Sequence, residues 1–257
     1  MPAIKSTRKG KGFPIVFIHG FCETSAMWFP YVESLTDSYE VICPNLPGFG
    51  DSELTTTDLT IEKVADQLAK QLQLENVQNA VFIGHSLGGY VALALAQRHP
   101  QMIRGLGLFH SHALADTEED KHKRNKALLF LEKHPVEKFI GPFIPSLFYE
   151  GRKQELQAAI ERSTEIGLQS PLETIIAYTL AMRERKGRFQ VWCELPMRTL
   201  FIGASHDNRI PLEVCEKHIE EKDFVDGYIL PETAHMGMFE RPSETLLMIR
   251  DYLLKVV

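Results

Sequence analysis

A serine, an aspartate and a histidine occur in the order Ser86, Asp207, His235, each just after an apolar run. A serine hydroxyl attacks a carbonyl only when an imidazole takes its proton, and the imidazole needs a carboxylate to hold its tautomer and stabilise the imidazolium. Ser86 lies in Gly84-His85-Ser86-Leu87-Gly88, a G-x-S-x-G between the apolar run NAVFI and the apolar stretch YVALALAQRH that ends before Pro100. The pattern predicts a strand, a sharp turn that forces Ser86 to φ > 0, and a helix. Gly84 and Gly88 remove side chains where strand and helix converge, and Gly89 lets the first helical turn pack close. Asp207 falls in GASHDNRIP, four residues past a predicted strand, where it could also cap the following helix; His235 follows YIL through PETAHMG.

These residues need elements that bring them to one place. Residues 14–18, apolar at every position, read as a strand buried on both faces that runs into His19-Gly20-Phe21. Further strands are predicted at 39–45, around 79–84, at 102–109, 197–203 and 223–230, with a short edge strand at 3–7 and a glycine turn at 8–12. Helices are expected over 25–36, where Trp28, Tyr31, Val32 and Leu35 recur at helical spacing, and from Thr60, where Ile61, Val64, Leu68 and Leu72 share a face. Two more are expected at 211–220 and 243–256. Strand and helix alternate as in a doubly wound, mostly parallel α/β sheet, here of six to seven strands. Residues 112–190 break that rhythm with helical patterns separated by prolines, so the core is expected from 1–111 and 191–257, with 112–190 inserted as a helical lid. Ligand sites of open α/β sheets lie at the carboxyl ends of the strands, which is where His19, Ser86, His110, Asp207 and His235 fall.

With 257 residues, 44% of them apolar, the chain is sized for one core carrying an insertion. Its net charge of −6 and lack of a basic stripe argue against nucleic-acid binding. No apolar run is long enough to cross a membrane, and the first residues lack the pattern of a secretory signal, so a cytoplasmic protein is expected. Cys22, Cys43, Cys193 and Cys215 form no C-x-x-C pair. Cys22 reads as a small pocket-lining residue, and His110 and His112 as a hinge or pocket wall, because no third ligand follows at metal-site spacing. The mixed charges of 116–126 read as a solvated helix start or loop. No metal and no cofactor is expected, and no oligomeric state is set.

The segments VFIHGF, ICPNLPGFGDS, VFIGHSLGGYVALALAQRHP, MRTLFIGASHDNRIP and LPETAHMGMFERPSE together resemble the α/β-hydrolase fold superfamily, in its lidded branch of esterases, carbon–carbon bond hydrolases and cofactor-free haloperoxidase-like enzymes. The resemblance implies Ser86 as nucleophile, Asp207 as acid and His235 as base, with the backbone N–H groups of Phe21 and Leu87 as oxyanion donors. Similar dehalogenases and epoxide hydrolases place Asp at the elbow; a serine there implies acyl transfer. The apolar lid residues Leu128, Leu129, Phe130, Phe139, Ile140, Phe143, Ile144, Leu147 and Phe148 are expected mostly to pack the lid, with about a third lining a pocket. That suggests a small or medium uncharged carboxylic ester. Two other readings stay open: a carbon–carbon bond hydrolase of diketones, with Arg183, Arg185 or Arg188 holding a carboxylate, and a non-catalytic ligand receptor of the same fold.

Overall fold

Each apolar run that alternates with an amphipathic stretch becomes a strand of one sheet. The computed structural model describes residues 4–257, with strands β1 (Ser6–Lys9), β2 (Phe13–Ile18), β3 (Tyr39–Pro44), β4 (Ala80–His85), β5 (Ile103–Phe109), β6 (Thr199–Ala204) and β7 (Val225–Leu230). They form a seven-stranded sheet in the order β1-β3-β2-β4-β5-β6-β7. Only β1 runs antiparallel, on β3. β1 begins later than the expected 3–7 segment, whose first residue lies outside the described residues. Its alternation of half-buried and exposed positions is that of an edge strand. β4 and β6, by contrast, are buried at every position, because helices cover both faces of the sheet.

Helices α1 (Ile61–Leu74) and α2 (Leu87–Arg98) cover one face, where Ile61, Val64, Leu68, Val91 and Leu95 join the core. Thr60 starts α1 by accepting the Lys63 N–H on its hydroxyl. Between β5 and β6 come α3 (Glu118–Leu131), α4 (Val136–Phe143), α5 (Gln157–Leu168), α6 (Leu172–Arg183) and α7 (Phe189–Glu194). The charged stretch 116–126 does start a helix: Thr117 and Asp120 close a capping box at the head of α3. After β6 follow α8 (Leu212–Glu220), α9 (Gly237–Glu240) and α10 (Pro242–Val256). The second apolar layer joins Ile249, Tyr252 and Leu253 of α10 to Trp28 and to Ile140, Ile144, Leu147 and Phe148 of the β5–β6 connection. Leu129 and Phe130 depart from the packing expected of them and are 57% and 37% exposed. Among the described residues no helix is long and apolar enough to cross a membrane.

The helix expected over 25–36 is not formed. Two 3-10 turns, Ser25–Met27 and Glu33–Leu35, stand there instead, with a cis Phe29–Pro30 peptide between them. Pro30 has no N–H to give a helix interior. Trp28, Val32 and Leu35 are nonetheless buried, so their spacing marked an inward face without a continuous helix.

β2 lies between β3 and β4, so the chain leaves it toward one side of the sheet for β3 and returns on its other side for β4. This reversal opens a crevice at the carboxyl ends of β2 and β4. Ile18, the last residue of β2, is the register partner of Gly84, one residue before the end of β4, which sets His19-Gly20-Phe21 beside Ser86.

Candidate active site

Ser86 ends the strand–turn–helix as the N-cap of α2 at φ 50, ψ −116, a conformation an L-residue adopts only when its surroundings enforce it. The enforcement is steric: a Cβ on Gly84 would overlap the Gly88 carbonyl, and one on Gly88 would overlap the backbone of Ile18 and His19. The Ser86 carbonyl accepts the Ser111 hydroxyl at 2.7 Å and the Gly89 N–H at 2.9 Å. In a trans peptide the N–H points opposite the C=O, so these bonds aim the Leu87 N–H away from the core.

The turn after β2 is locked in the same manner. His19 Nδ1 donates to the Gly20 carbonyl at 2.8 Å, while its Nε2 accepts the Leu46 N–H at 2.9 Å. Burial lowers the His19 pKa to about 4, as a ring with one nitrogen committed as acceptor requires. Fixing the Gly20 carbonyl fixes the Phe21 N–H on the other side of that peptide. Among the described residues neither the Phe21 N–H nor the Leu87 N–H has a protein acceptor.

Asp207 and His235 follow β6 and β7. His235 Nδ1 donates to Asp207 Oδ2 at 2.8 Å, and both residues are buried. Asp207 Oδ1 accepts the N–H groups of Arg209 and Ile210 at 2.8 and 3.2 Å, so the expected capping and partner roles are divided between its two oxygens. Burial would raise this carboxyl, but the charge of His235 and the rings of His110 and His235 hold it well below the usual carboxylate range. The carbonyl of His235 meets Nε2 of His85 at 2.9 Å, which ties the histidine loop to the residue before Ser86. Among the described residues no hydrogen bond joins Ser86 to His235; in unliganded enzymes such contacts are commonly long and tighten on binding.

His110, at φ 44, lies with Nδ1 3.4 Å from Asp207 Oδ2, and neither of its nitrogens has a hydrogen-bond partner. One ligand atom from each of His110, Asp207 and His235 lies within 4.8 Å of the others. A cation there would have to displace the direct Asp207–His235 hydrogen bond, so the arrangement suits a shared proton better than a metal. His112 points elsewhere, accepting the Leu114 N–H at 3.2 Å and facing Tyr90 at 3.2 Å and Arg185 at 3.3 Å. Cys22 is fully buried, which pushes its thiol well above the ordinary range, so it does not face an open pocket as expected and its surroundings disfavour the thiolate. Nor do the three arginines form a free cationic group. Arg185 and Arg188 are 5% and 3% exposed and paired with Asp116 and Glu62, and Arg183 is paired with Glu184.

Two carboxylates went unnoticed in the sequence. Glu23 accepts the Gly20 N–H at 2.6 Å and faces His85 at 3.0 Å. Glu240 accepts the N–H groups of Ala234 and Met236 on one oxygen, at 3.0 and 3.2 Å, and that of Tyr149 on the other at 3.0 Å, so it brackets His235.

Residues 14–130 match the family model of the alpha/beta hydrolase fold. The chain is 36% identical to the pimeloyl-[acyl-carrier protein] methyl ester esterase of Shewanella woodyi, with 96% of each chain covered. It is 24% identical to the 2-hydroxy-6-oxo-6-(2'-aminophenyl)hexa-2,4-dienoic acid hydrolase of Metapseudomonas resinovorans, over 91% of this chain and 82% of that one. Among solved structures, a thermophilic esterase from Thermogutta terrifontis superposes with a TM-score of 0.92 at 29% identity, over 98% of this chain and 93% of the other.

Proposed function

The chain belongs to the α/β-hydrolase fold family and is a hydrolase, and we propose that it cleaves small to medium, partly apolar carboxylic esters through an acyl-enzyme on Ser86. The observation that carries this reading is the strained Ser86 between two unpartnered N–H groups, Phe21 and Leu87, at the sheet edge that also holds the Asp207–His235 pair. In this mechanism His235 Nε2 takes the Ser86 proton as Oγ attacks the carbonyl carbon. Asp207 holds the proton on Nδ1 and stabilises the imidazolium. The oxyanion settles on the two amides, where each donor is worth roughly 3–4 kcal/mol in comparable sites. His235 then protonates the leaving alcohol, and water activated by the same ring frees the acid and regenerates Ser86.

In this reading residues 112–190 form a lid over the site, the protein works in the cytoplasm on a small molecule, and neither metal nor cofactor takes part. Phe143 supports a pocket wall: its ring lies 5.9 Å from that of Phe21 and 5.3 Å from that of Phe139. Carbon–carbon bond cleavage would use the same three residues, but the ion pairs of Arg183, Arg185 and Arg188 leave that reading without the cations it was expected to use. The test is hydrolysis of short-chain p-nitrophenyl esters by the wild type and Ser86→Ala. The expected loss in kcat is at least about 10⁴-fold. A smaller loss, or a wild type that forms no covalent adduct with a serine-directed phosphonate, overturns the proposal, the latter in favour of a receptor.

A further inference from the structure

The turn that orients Phe21, the strand end that carries Ser86 and the loop that carries His235 meet on one pair of side chains, Glu23 and His85. Glu23 Oε2 accepts the Gly20 N–H at 2.6 Å and lies 3.0 Å from His85 Nδ1. On the other side of the ring, His85 Nε2 lies 2.9 Å from the carbonyl oxygen of His235. A carbonyl oxygen can only accept, and so can an ionised carboxylate. Both ring nitrogens must therefore donate, and an imidazole that donates twice carries two protons and a positive charge.

The charge has no access to water, since His85 and Glu23 are 0% and 2% exposed. Its surroundings are largely aromatic: the Trp28 and Phe109 rings lie 6.4 and 6.1 Å from His85, and those of His110 and His235 lie 6.3 and 5.1 Å away. Of the other ionisable neighbours, a proton on the His235 ring, 5.1 Å away, opposes the charged form, and the rest favour it or leave it undisturbed. Asp207 adds a second negative charge, and His19 and His110, their pKa values lowered by burial, are neutral near pH 7. A buried pair of opposite charges is costly unless its geometry and remaining hydrogen bonds are complete, and breaking one by removing a partner is strongly destabilising. Here Gly20 N–H and His235 C=O complete it. Space is closed as well: a Cβ on Gly20 would sit 2.7 Å from His85 Nδ1 and 2.9 Å from the Glu23 oxygens.

We infer that Glu23 and His85 form a charged clamp that positions the Phe21 amide and the His235 loop against Ser86. They are positioning residues for the proposed hydrolysis, and the inference rests on that reading. Neither touches the reacting atoms: Glu23 acts through Gly20 and His85 through the His235 backbone. The directions of titration agree. Burial works against both charges, yet Glu23 raises the pKa of His85 and His85 lowers that of Glu23. The clamp predicts that its loss moves kcat and not KM, because substrate contacts stay in place while the oxyanion amide and the base lose alignment. Misplacement by about 1 Å can cost on the order of 10²-fold.

The test compares wild type, Glu23→Gln, His85→Gln and the double variant on p-nitrophenyl butyrate, with thermal midpoints recorded alongside. Each single variant is expected to lose roughly 10²-fold in kcat with KM within about threefold, and the double variant to lose no more than the worse single. Glu23→Gln keeps the shape and removes only the charge, so kcat within about threefold of wild type overturns the clamp. Nitrogen-15 NMR of the histidines in the unmodified protein needs no variant: at pH 6.5 His85 is expected as imidazolium and His19 as neutral imidazole. A neutral His85 also overturns it. A wild type without esterase activity or phosphonate adduct defeats the serine-hydrolase reading instead, and the charge state of His85 then decides the clamp alone.

Discussion

The two halves of the site treat their polar groups differently. Around β2 and β4, the side chains of His19, Glu23 and His85, joined by Ser111 from the loop after β5, are each hydrogen-bonded to backbone groups of the loops they hold. Around β5, β6 and β7 the Asp207–His235 pair is equally direct, but the adjoining His110 is buried with neither nitrogen partnered. The first half presents two backbone amides whose protonation never changes, so its supports can be saturated. In the proposed hydrolysis the second must let a proton move between Ser86, His235 and the substrate, and its buried His110 retains a freedom that the first half lacks.

The sharpest way to break this contrast is Asp207→Asn. The amide can still accept from Arg209 and Ile210 but offers His235 a donor where it needs an acceptor, so kcat should fall roughly 10⁴-fold with circular dichroism unchanged. A loss under tenfold would place the proton-handling function elsewhere. The next effect lies in the saturated half and is one of stability. The pKa of His19 drops from 6.5 to about 4 on folding, so the unfolded chain takes up a proton the native state refuses. Its contribution is complete above about pH 6.5 and is lost as pH falls toward 4, roughly 3 kcal/mol in all. His218, whose Nε2 accepts the Ala113 N–H and whose pKa is also about 4, acts in the same direction outside the site. Urea midpoints should therefore decline between pH 6.5 and 4 in wild type and, less steeply, in His218→Gln; a flat profile in that variant would show that His19 can charge without cost. Smallest is Ser111→Ala, which removes one hydroxyl bond to the Ser86 carbonyl. It should cost about 1 kcal/mol in urea unfolding and less than tenfold in kcat, and a larger kcat loss would mean the elbow depends on that bond for its shape.

The placement of Ser86, Asp207 and His235 just past strand ends was legible because each follows an apolar run by a few residues, and strand ends of a parallel sheet converge. The seven strands were legible from their apolar runs, apart from β1, which starts and ends later than the expected 3–7 and takes in Arg8 and Lys9 of the expected turn, because its edge position gives it little apolar signal. Glu23 gave no signal, since its partner His85 is 62 residues away and only the pairing of β2 with β4 brings them together. His85 itself was visible only as an unspecified position in the G-x-S-x-G. The arginines misled for a related reason: their spacing on a helix end says nothing of Asp116 and Glu62, which arrive from other elements. At 25–36 the apolar spacing was real and the helix was not, because burial set the pattern while Pro30 prevented the hydrogen bonding.

The His235 loop has one more tether. Its backbone N–H donates to the carbonyl of Leu147, Asn208 and Arg209 both bond to Ser146, and Tyr149 and Arg152 bond to Glu240. Residues 146–152 are thus tied by five bonds to the loops that carry Asp207 and His235 and to Glu240, one of them on the His235 backbone itself, so in the proposed hydrolysis any breathing that admits a substrate must either spare this stretch or loosen the His235 loop with it.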